Sequence, residues 1–295
     1  MEDLKPKIIC VVGPTASGKT SYAIKLAKEC DGEIVSCDSM QIYKYMNIGT
    51  AKPTLEEMDG VVHHMINFVE PWVNYSVADF TTSARMHISD ILARGKMPIL
   101  CGGTGLYLDS TIKNIKFISE DTDVEYRKEL TLFAMENGKE SLHELLKDID
   151  IVSYEKIHPN NVQRVIRALE VYKATGKPKS EIDILSRGEE IYDSEIFGLS
   201  LQREVLYDRI NKRVDIMMDN GLVEEVKSIL SMEVPKTATA MQAIGYKEVV
   251  RYLDGEYSLE KAVDAIKQES RHYAKRQITW FRRNEKIKWI NVLGK

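Results

Sequence analysis

The chain has 295 residues, 43% of them hydrophobic and 29% charged, with a formal net charge of −4; this allows one large or two unequal globular domains and excludes a uniformly basic nucleic-acid binder, though not a local basic face. Its four cysteines, Cys10, Cys30, Cys37 and Cys101, show no C-x-x-C spacing, which argues against a metal cluster or disulfide framework and for a reducing cytoplasm. The apolar run before residue 13 is too short for a signal-peptide core, and no run approaches the roughly 18 residues of a membrane span, so no membrane partner is expected.

Lys7 to Val12 predict a short buried strand, and residues 21–28 a helix. Between them, Gly13-Pro14-Thr15-Ala16-Ser17-Gly18-Lys19-Thr20 fits G-x-x-x-x-G-K-[ST], the P-loop of nucleotide-binding and ATP-binding proteins. Gly13 and Gly18 let the backbone curl so that its N–H groups converge on phosphate oxygens. The helix N-terminus adds partial positive charge. Lys19 adds a full charge, and the Thr20 hydroxyl is the expected ligand of a magnesium ion. The alternative is a glycine-rich turn that binds nothing, which the flanking strand and helix disfavour. The motif alone leaves kinase, nucleotide hydrolase and diphosphate-releasing transferase open.

Residues 33–37 predict a second strand, ending at Asp38-Ser39-Met40-Gln41. In open α/β sheets ligands sit beyond the carboxyl ends of strands, so Asp38 is expected in the P-loop's crevice as a metal-ordering group or general base. A simple cap of the following turn is the competing reading. His63 and His64 lack metal-ligand spacing and read as structural. Residues 77–94 have helical spacing and stop at Gly95. Residues 97–101 predict a third strand, running into Gly102-Gly103-Thr104-Gly105. Those glycines permit close backbone approach to a ligand, or only a tight strand-to-helix turn. Typical Walker-B strands end in aspartate; this one ends in glycine, which counts against an ATP-driven motor.

From residue 119 the pattern becomes helical, charged and strand-poor, before a strand-like stretch at 195–201. The expected fold is α/β: a P-loop NTPase-like parallel sheet flanked by helices, with an inserted small helical domain. The expected bounds are 1–118 for the first part of the core, 119–190 for the insertion, and 191–295 for the rest of the core. In the insertion, Gln163, Arg164 and Arg167 share a polar helix face while Val165, Ile166 and Leu169 pack inward. The two arginines could clamp phosphate, or Arg167 could pair with Glu170 on a solvated face. From Arg271 to Lys288 seven Lys or Arg residues face one acid, Glu285. With Tyr273, Trp280 and Phe281 interleaved, and Arg282 and Arg283 following, this tail suits a nucleic-acid backbone with stacked bases. Core aromatics of a terminal helix are the alternative.

Taken together, GPTASGKT (13–20), DSMQIYKYMNIGTAKP (38–53), HHMINFVEP (63–71), GGTGLYL (102–108), NNVQRVIRALEVY (160–172), LYDRINKRVDIMMDNGLVEEV (206–226), QAIGYKE (242–248) and YAKRQITWFRR (273–283) run in order through nearly the whole chain. In these stretches the chain resembles the bacterial tRNA dimethylallyltransferases, the isopentenyl-tRNA transferase family. The resemblance implies transfer of a dimethylallyl group from dimethylallyl diphosphate to the exocyclic amine of the adenine 3′ to the anticodon in tRNA, with release of diphosphate.

It further implies that Thr15 to Thr20 hold the diphosphate, with magnesium at Thr20. Asp38 would be the general base, with Ser39, Met40 and Gln41 contacting the acceptor nucleotide. Thr104 resembles the family's threonine at the reaction centre. The residues Gln163, Arg164, Val165, Ile166 and Arg167 resemble an anticodon-loop contact helix, and Arg127 is similar to an arginine near tRNA. Arg209 and Arg213 would assist at the diphosphate. The physical demand agrees: an adenine amine is a poor nucleophile and needs a base, while an allylic diphosphate ionises when its leaving charge is neutralised. The base is most easily drawn out of a single-stranded loop. Eukaryotic relatives add a Cys/His zinc finger, and no cysteine follows Cys101 here, so a finger-free, bacterial-type enzyme is expected, acting as a monomer. Two other enzymes stay open, an adenylate isopentenyltransferase acting on a free nucleotide and a P-loop small-molecule kinase. A non-catalytic nucleic-acid-binding module is the rival from another class.

Overall fold

The computed structural model describes residues 5–115, 123–185 and 188–292. The chain divides into two compact units, Met1–Ile112 with Glu190–Lys295, and Lys113–Glu189.

The larger unit starts with β1 (Lys7–Val12), α1 (Lys19–Glu29), β2 (Gly32–Ser36), the short α2 (Leu55–Met58), β3 (His63–His64), α3 (Val77–Ala93), β4 (Met97–Gly102) and α4 (Gly105–Ile112). The other unit is helical: α5 (Val124–Asn137), α6 (Lys139–Glu144), α7 (Ile151–Lys156), α8 (Val162–Thr175) and α9 (Lys179–Leu185). The chain then returns to the larger unit with β5 (Asp193–Ser200), α10 (Arg203–Asp219), α11 (Leu222–Leu230), α12 (Tyr246–Leu253), α13 (Leu259–Phe281) and β6 (Lys288–Asn291).

The six strands form one sheet in the order β3-β2-β4-β1-β5-β6, and every neighbouring pair is parallel. Parallel strands covered on both faces read as continuous apolar runs, and β1 and β4 do: all but their first residues are buried. One face packs Ile8, Cys10, Val35 and Leu100 against Phe80, Ile88 and Ile91 of α3. The other packs Ile9, Val11, Ile34 and Ile99 against Ala23, Ile24 and Ala27 of α1. A third cluster, with Tyr43, Met46, Val226, Tyr246 and Val249 at its centre, joins the loop after β2 to α11 and α12.

Two strands were not expected. β3 is two residues long, and its histidines gain definition only by pairing with Ile34 and Val35. β6 is mostly exposed and forms where Lys288 to Asn291 register against Phe197 to Ser200. His63 and His64 are therefore edge-strand residues; His64 Nε2 is hydrogen-bonded to the buried Glu33 at 2.8 Å.

Because β4 lies between β2 and β1, the three loops at their carboxyl ends stand side by side. Val12 registers with Gly102, and Ser36 with Cys101. The P-loop, the Asp38 turn and the Gly102–Thr104 turn thus converge at one edge of the sheet, where open α/β sheets bind ligands.

Candidate active site

The P-loop shape follows from its glycines. Gly13 has φ 149°, and a Cβ there would stand 2.9 Å from the Leu199 carbonyl oxygen. Gly18, at φ 88°, forms the left-handed N-cap of α1. The Ser17 hydroxyl is wholly buried without a hydrogen-bond partner, which leaves an unmatched polar atom beneath the cradle. Lys19 Nζ donates to the Pro14 carbonyl at 2.7 Å. Its pKa is lowered to about 8, chiefly by burial, with Cys101 and Asp38 opposing the shift and Arg213 adding to it.

Lys19 and Thr20 line a cavity of about 770 Å³ together with Lys52, Arg209 and Arg213. Burial lowers Lys52 to about 8 as well, and depresses the Arg213 guanidinium, which nonetheless stays charged. Several cations with few acids around them (Glu57 is one) suit an oligophosphate. Among the described residues no three His, Cys, Asp or Glu side chains form a metal cage, so a magnesium ion would rely on Thr20 and on the phosphate oxygens themselves, as this cation commonly does.

A second cavity of about 300 Å³ has Thr15, Asp38 and Ser39 among its polar lining and Ile210, Val214, Met217, Ile244 and Ile266 as apolar walls. Asp38 does cap its turn: Oδ1 accepts the N–H groups of Met40 at 2.9 Å and Gln41 at 3.3 Å. Those bonds fix the carboxylate, and the same side chain borders the cavity. Met40 also lines it. Gln41 is turned to its own loop, where Nε2 donates to the Thr50 and Ala51 carbonyls, both at 3.2 Å. Its amide therefore holds the loop instead of offering an edge to a nucleotide.

Thr104 Oγ1 accepts the Ser39 N–H at 3.2 Å, tying the β4 turn to the Asp38 turn. The glycines around it are dictated by packing. A Cβ on Gly102 would meet the Cys37 carbonyl oxygen at 2.2 Å, one on Gly103 the Gln277 amide at 2.0 Å, and one on Gly105 the Trp280 ring at 2.2 Å. Of the two readings for Gly102 to Gly105, the tight, closely packed turn is the one seen.

A family model for IPP transferases matches residues 41–284, and one for isopentenyl transferases matches residues 6–68. The chain belongs to the IPP transferase family. It is 52% identical to the tRNA dimethylallyltransferase of Acetivibrio thermocellus over 285 residues, 96% of this chain and 91% of that protein. Among solved structures it is similar to the full-length tRNA isopentenylpyrophosphate transferase of Bacillus halodurans (TM-score 0.73, 46% identity, 97% of this chain and 90% of that one). It is also similar to a eukaryotic dimethylallyltransferase acting on tRNA (TM-score 0.79, 30% identity, 97% of this chain and 74% of that one). The sheet and its flanking helices are the P-loop NTPase-like fold of these relatives.

In this IPP transferase the basic tail is built differently from a stacking platform. Tyr273 lines the smaller cavity. Burial pushes its phenol up to about 12, the Asp38 charge adding to the effect. Trp280 Nε1 donates to Asp109 Oδ2 at 2.9 Å. Phe281 is 2% exposed in the sheet core. The expectation of bases stacked on these rings is corrected for Phe281, which is enclosed in the sheet core, while Trp280 is fixed to α4 through Asp109. Arg282 and Arg283 remain exposed, and the Arg283 guanidinium lies 5.6 Å from the Trp280 ring centroid.

In the helical unit, Gln163, Arg164 and Arg167 of α8 are exposed. Val165 and Ile166 are 0% and 2% exposed and pack on Leu130, Leu142 and Leu146, so the expectation that they touch RNA fails for their side chains. Arg127 gives both arms of its guanidinium to the buried Glu170, at 2.6 and 2.8 Å. This braces α5 against α8, while Arg167 Nη1 lies 3.8 Å from the same carboxylate.

Three contributors escaped the sequence reading. Glu225 of α11 accepts the N–H groups of Asn47 and Ile48 at 2.8 Å, that of Gly49 at 3.2 Å and the Tyr246 hydroxyl at 2.5 Å. It moulds the loop bordering both cavities; no local pattern marks a carboxylate that acts 176 positions away. Gln277 and Tyr273 are the other contributors, and a signal existed for them. Tyr273, Gln277 and Trp280 recur at i, i+4 and i+7 on one helix face, with polar atoms on what is otherwise a core-facing stripe.

Proposed function

We propose that this chain transfers the dimethylallyl group of dimethylallyl diphosphate to N6 of the adenine 3′-adjacent to the anticodon of tRNA, releasing diphosphate. One observation carries the reading. A single apolar-walled cavity has the P-loop residue Thr15 and the acceptor-side carboxylate Asp38 on its lining, the layout required by a short hydrocarbon with a diphosphate at one end and an attacking amine at the other. Its volume of about 300 Å³ accommodates a five-carbon chain with part of a base.

The diphosphate lies in the P-loop, where N–H groups, Lys19 and Arg213 take up the charge that grows as the allylic C–O bond breaks. A magnesium ion held by Thr20 and the phosphate oxygens would supply further charge neutralisation. The apolar walls shield the allylic centre from water. The adenine amine attacks that carbon, the N–C bond forms, and the proton leaves to Asp38 Oδ2, since Oδ1 is occupied by the Met40 and Gln41 amides. Thr104, with Ser39 and Tyr273 around it, orients the acceptor. In the helical unit Gln163, Arg164 and Arg167 on α8 serve as tRNA contacts, and in the larger unit Arg282 and Arg283 on the tail serve as phosphate contacts. The proposal includes a cytoplasmic monomer. Among the described residues no helix is long and apolar enough to cross a membrane.

Labelled dimethylallyl diphosphate, offered with tRNA or with AMP, tests this. Label should enter tRNA alone, at the adenine beside the anticodon. Transfer to AMP alone would support the free-nucleotide enzyme, and ATP turnover without prenyl transfer would support a kinase. Salt-sensitive tRNA binding without any transfer would leave a binding module.

A further inference from the structure

We infer that Gln277 is a positioning residue for the transfer step: a strut that fixes the distance between the leaving-group loop and the acceptor turn. It is 5% exposed, and both ends of its amide are occupied. Oε1 accepts the Thr15 N–H at 2.8 Å, and Nε2 donates to the Gly103 carbonyl at 3.0 Å. The side chain thus bridges the P-loop to the residue before Thr104. One turn earlier on the same helix, Tyr273 lines the smaller cavity.

The bridge spans a place where the sheet gives no support. Val12 and Gly102 are the last registered pair of β1 and β4, so Thr15 and Gly103 lie beyond the ladder. The amide also leaves no slack, since even a Cβ on Gly103 would fall 2.0 Å from Nε2. Gln277 further takes up one P-loop N–H, which is withheld from the phosphate. A rigid separation matters because in-line displacement needs the reacting atoms within about 3–3.5 Å, and a misplacement of about 1 Å can cost a factor of about 100.

This inference rests on the prenyl-transfer reading. The test compares wild type with Gln277→Met, which keeps the volume and removes both hydrogen bonds, in single-turnover transfer to tRNA. The expected result is a fall of about 30–100-fold in the transfer rate, with KM for dimethylallyl diphosphate and Kd for tRNA changed no more than about threefold. Gln277→Glu keeps an acceptor for Thr15 but sets a second oxygen against the Gly103 carbonyl. It should lose rate in the same way, and it serves alone if the Met variant does not fold. A wild-type transfer rate in either folded variant, or a loss confined to KM, overturns the strut. If the wild-type protein itself transfers no label to tRNA, the functional reading fails instead.

Discussion

On the proposed function, the protonation of Lys19 sets a pH limit on diphosphate use. A solvated lysine titrates near 10.5, but burial brings Lys19 down to about 8 in the ligand-free protein. On that reading the charged form holds the diphosphate, so raising the pH should remove binding competence. With a pKa of about 8, the protonated fraction falls from about 0.9 at pH 7 to about 0.09 at pH 9, a tenfold loss; with the ordinary value it would stay above about 0.95. The quantity to follow is kcat/KM for dimethylallyl diphosphate at saturating tRNA from pH 6.5 to 9.5, because it reports the free enzyme's ionisations. A basic limb should begin near pH 8 and fall about tenfold per pH unit. Lys52 borders the same cavity and is also lowered to about 8, so Lys52→Arg is the necessary companion and should leave the limb in place. A profile flat to pH 9, or a limb that vanishes in the Lys52 variant, would refute the assignment to Lys19.

Asp38→Asn keeps an acceptor for the Met40 and Gln41 amides and removes the proposed base; transfer should fall by about 10²–10⁴-fold with tRNA binding unchanged, as filter binding would show. Glu33 is 3% exposed and its pKa is drawn down to about 2, chiefly by the Arg94 hydrogen bond and also by His64. A depressed carboxylate contributes stability present above its unfolded pKa, near 4.5, and lost as the pH falls toward 2. Glu33→Gln should therefore cost about 1–3 kcal/mol at pH 7 in denaturant unfolding, and the gap should close below about pH 3; an undiminished gap there would count against the ion pair as its source. Removing both Arg282 and Arg283 charges should lower the slope of log K for tRNA against log salt by up to about 2; an unaltered slope would place those arginines away from the phosphates.

The sequence made the centre of the fold legible because three strands are apolar on both faces and each ends in a recognisable turn. Lys7 to Val12 into the P-loop, residues 33–37 into Asp38, and residues 97–101 into Gly102 all appear as strands within a residue or two. What escaped was set by partners rather than by pattern. His63 and His64 have no strand period of their own, and β6 is nearly all exposed, so each exists only as an added edge on a sheet already formed. The same holds for Glu225, whose role depends on amides brought to it by tertiary packing.

At the site, several residues expected to face a ligand are also engaged by the fold itself. Gln41, Arg127 and Trp280 each carry donors suited to RNA, yet each gives them to this chain's own oxygens. The glycines of the β4 turn were open to a ligand reading, yet their missing side chains make room for Cys37, Gln277 and Trp280. Buried donors mostly find partners within the protein when no ligand is there, and Lys19 and Asp38 are engaged too, so the distinguishing property is which groups also border a cavity. In the P-loop unit those are Lys19, Thr20, Arg213 and Asp38, lining two cavities that share Ala51, Arg213 and Met217. The division of labour in α13 follows. Its inward residues Gln277 and Trp280 bond to the Thr15 and Gly103 backbone and to Asp109, while Arg282 and Arg283 beyond its end stay in solvent. A stretch read from sequence as one basic, aromatic nucleic-acid motif is in structure a brace followed by a charged tip, and substitutions in its two parts should separate transfer rate from tRNA affinity.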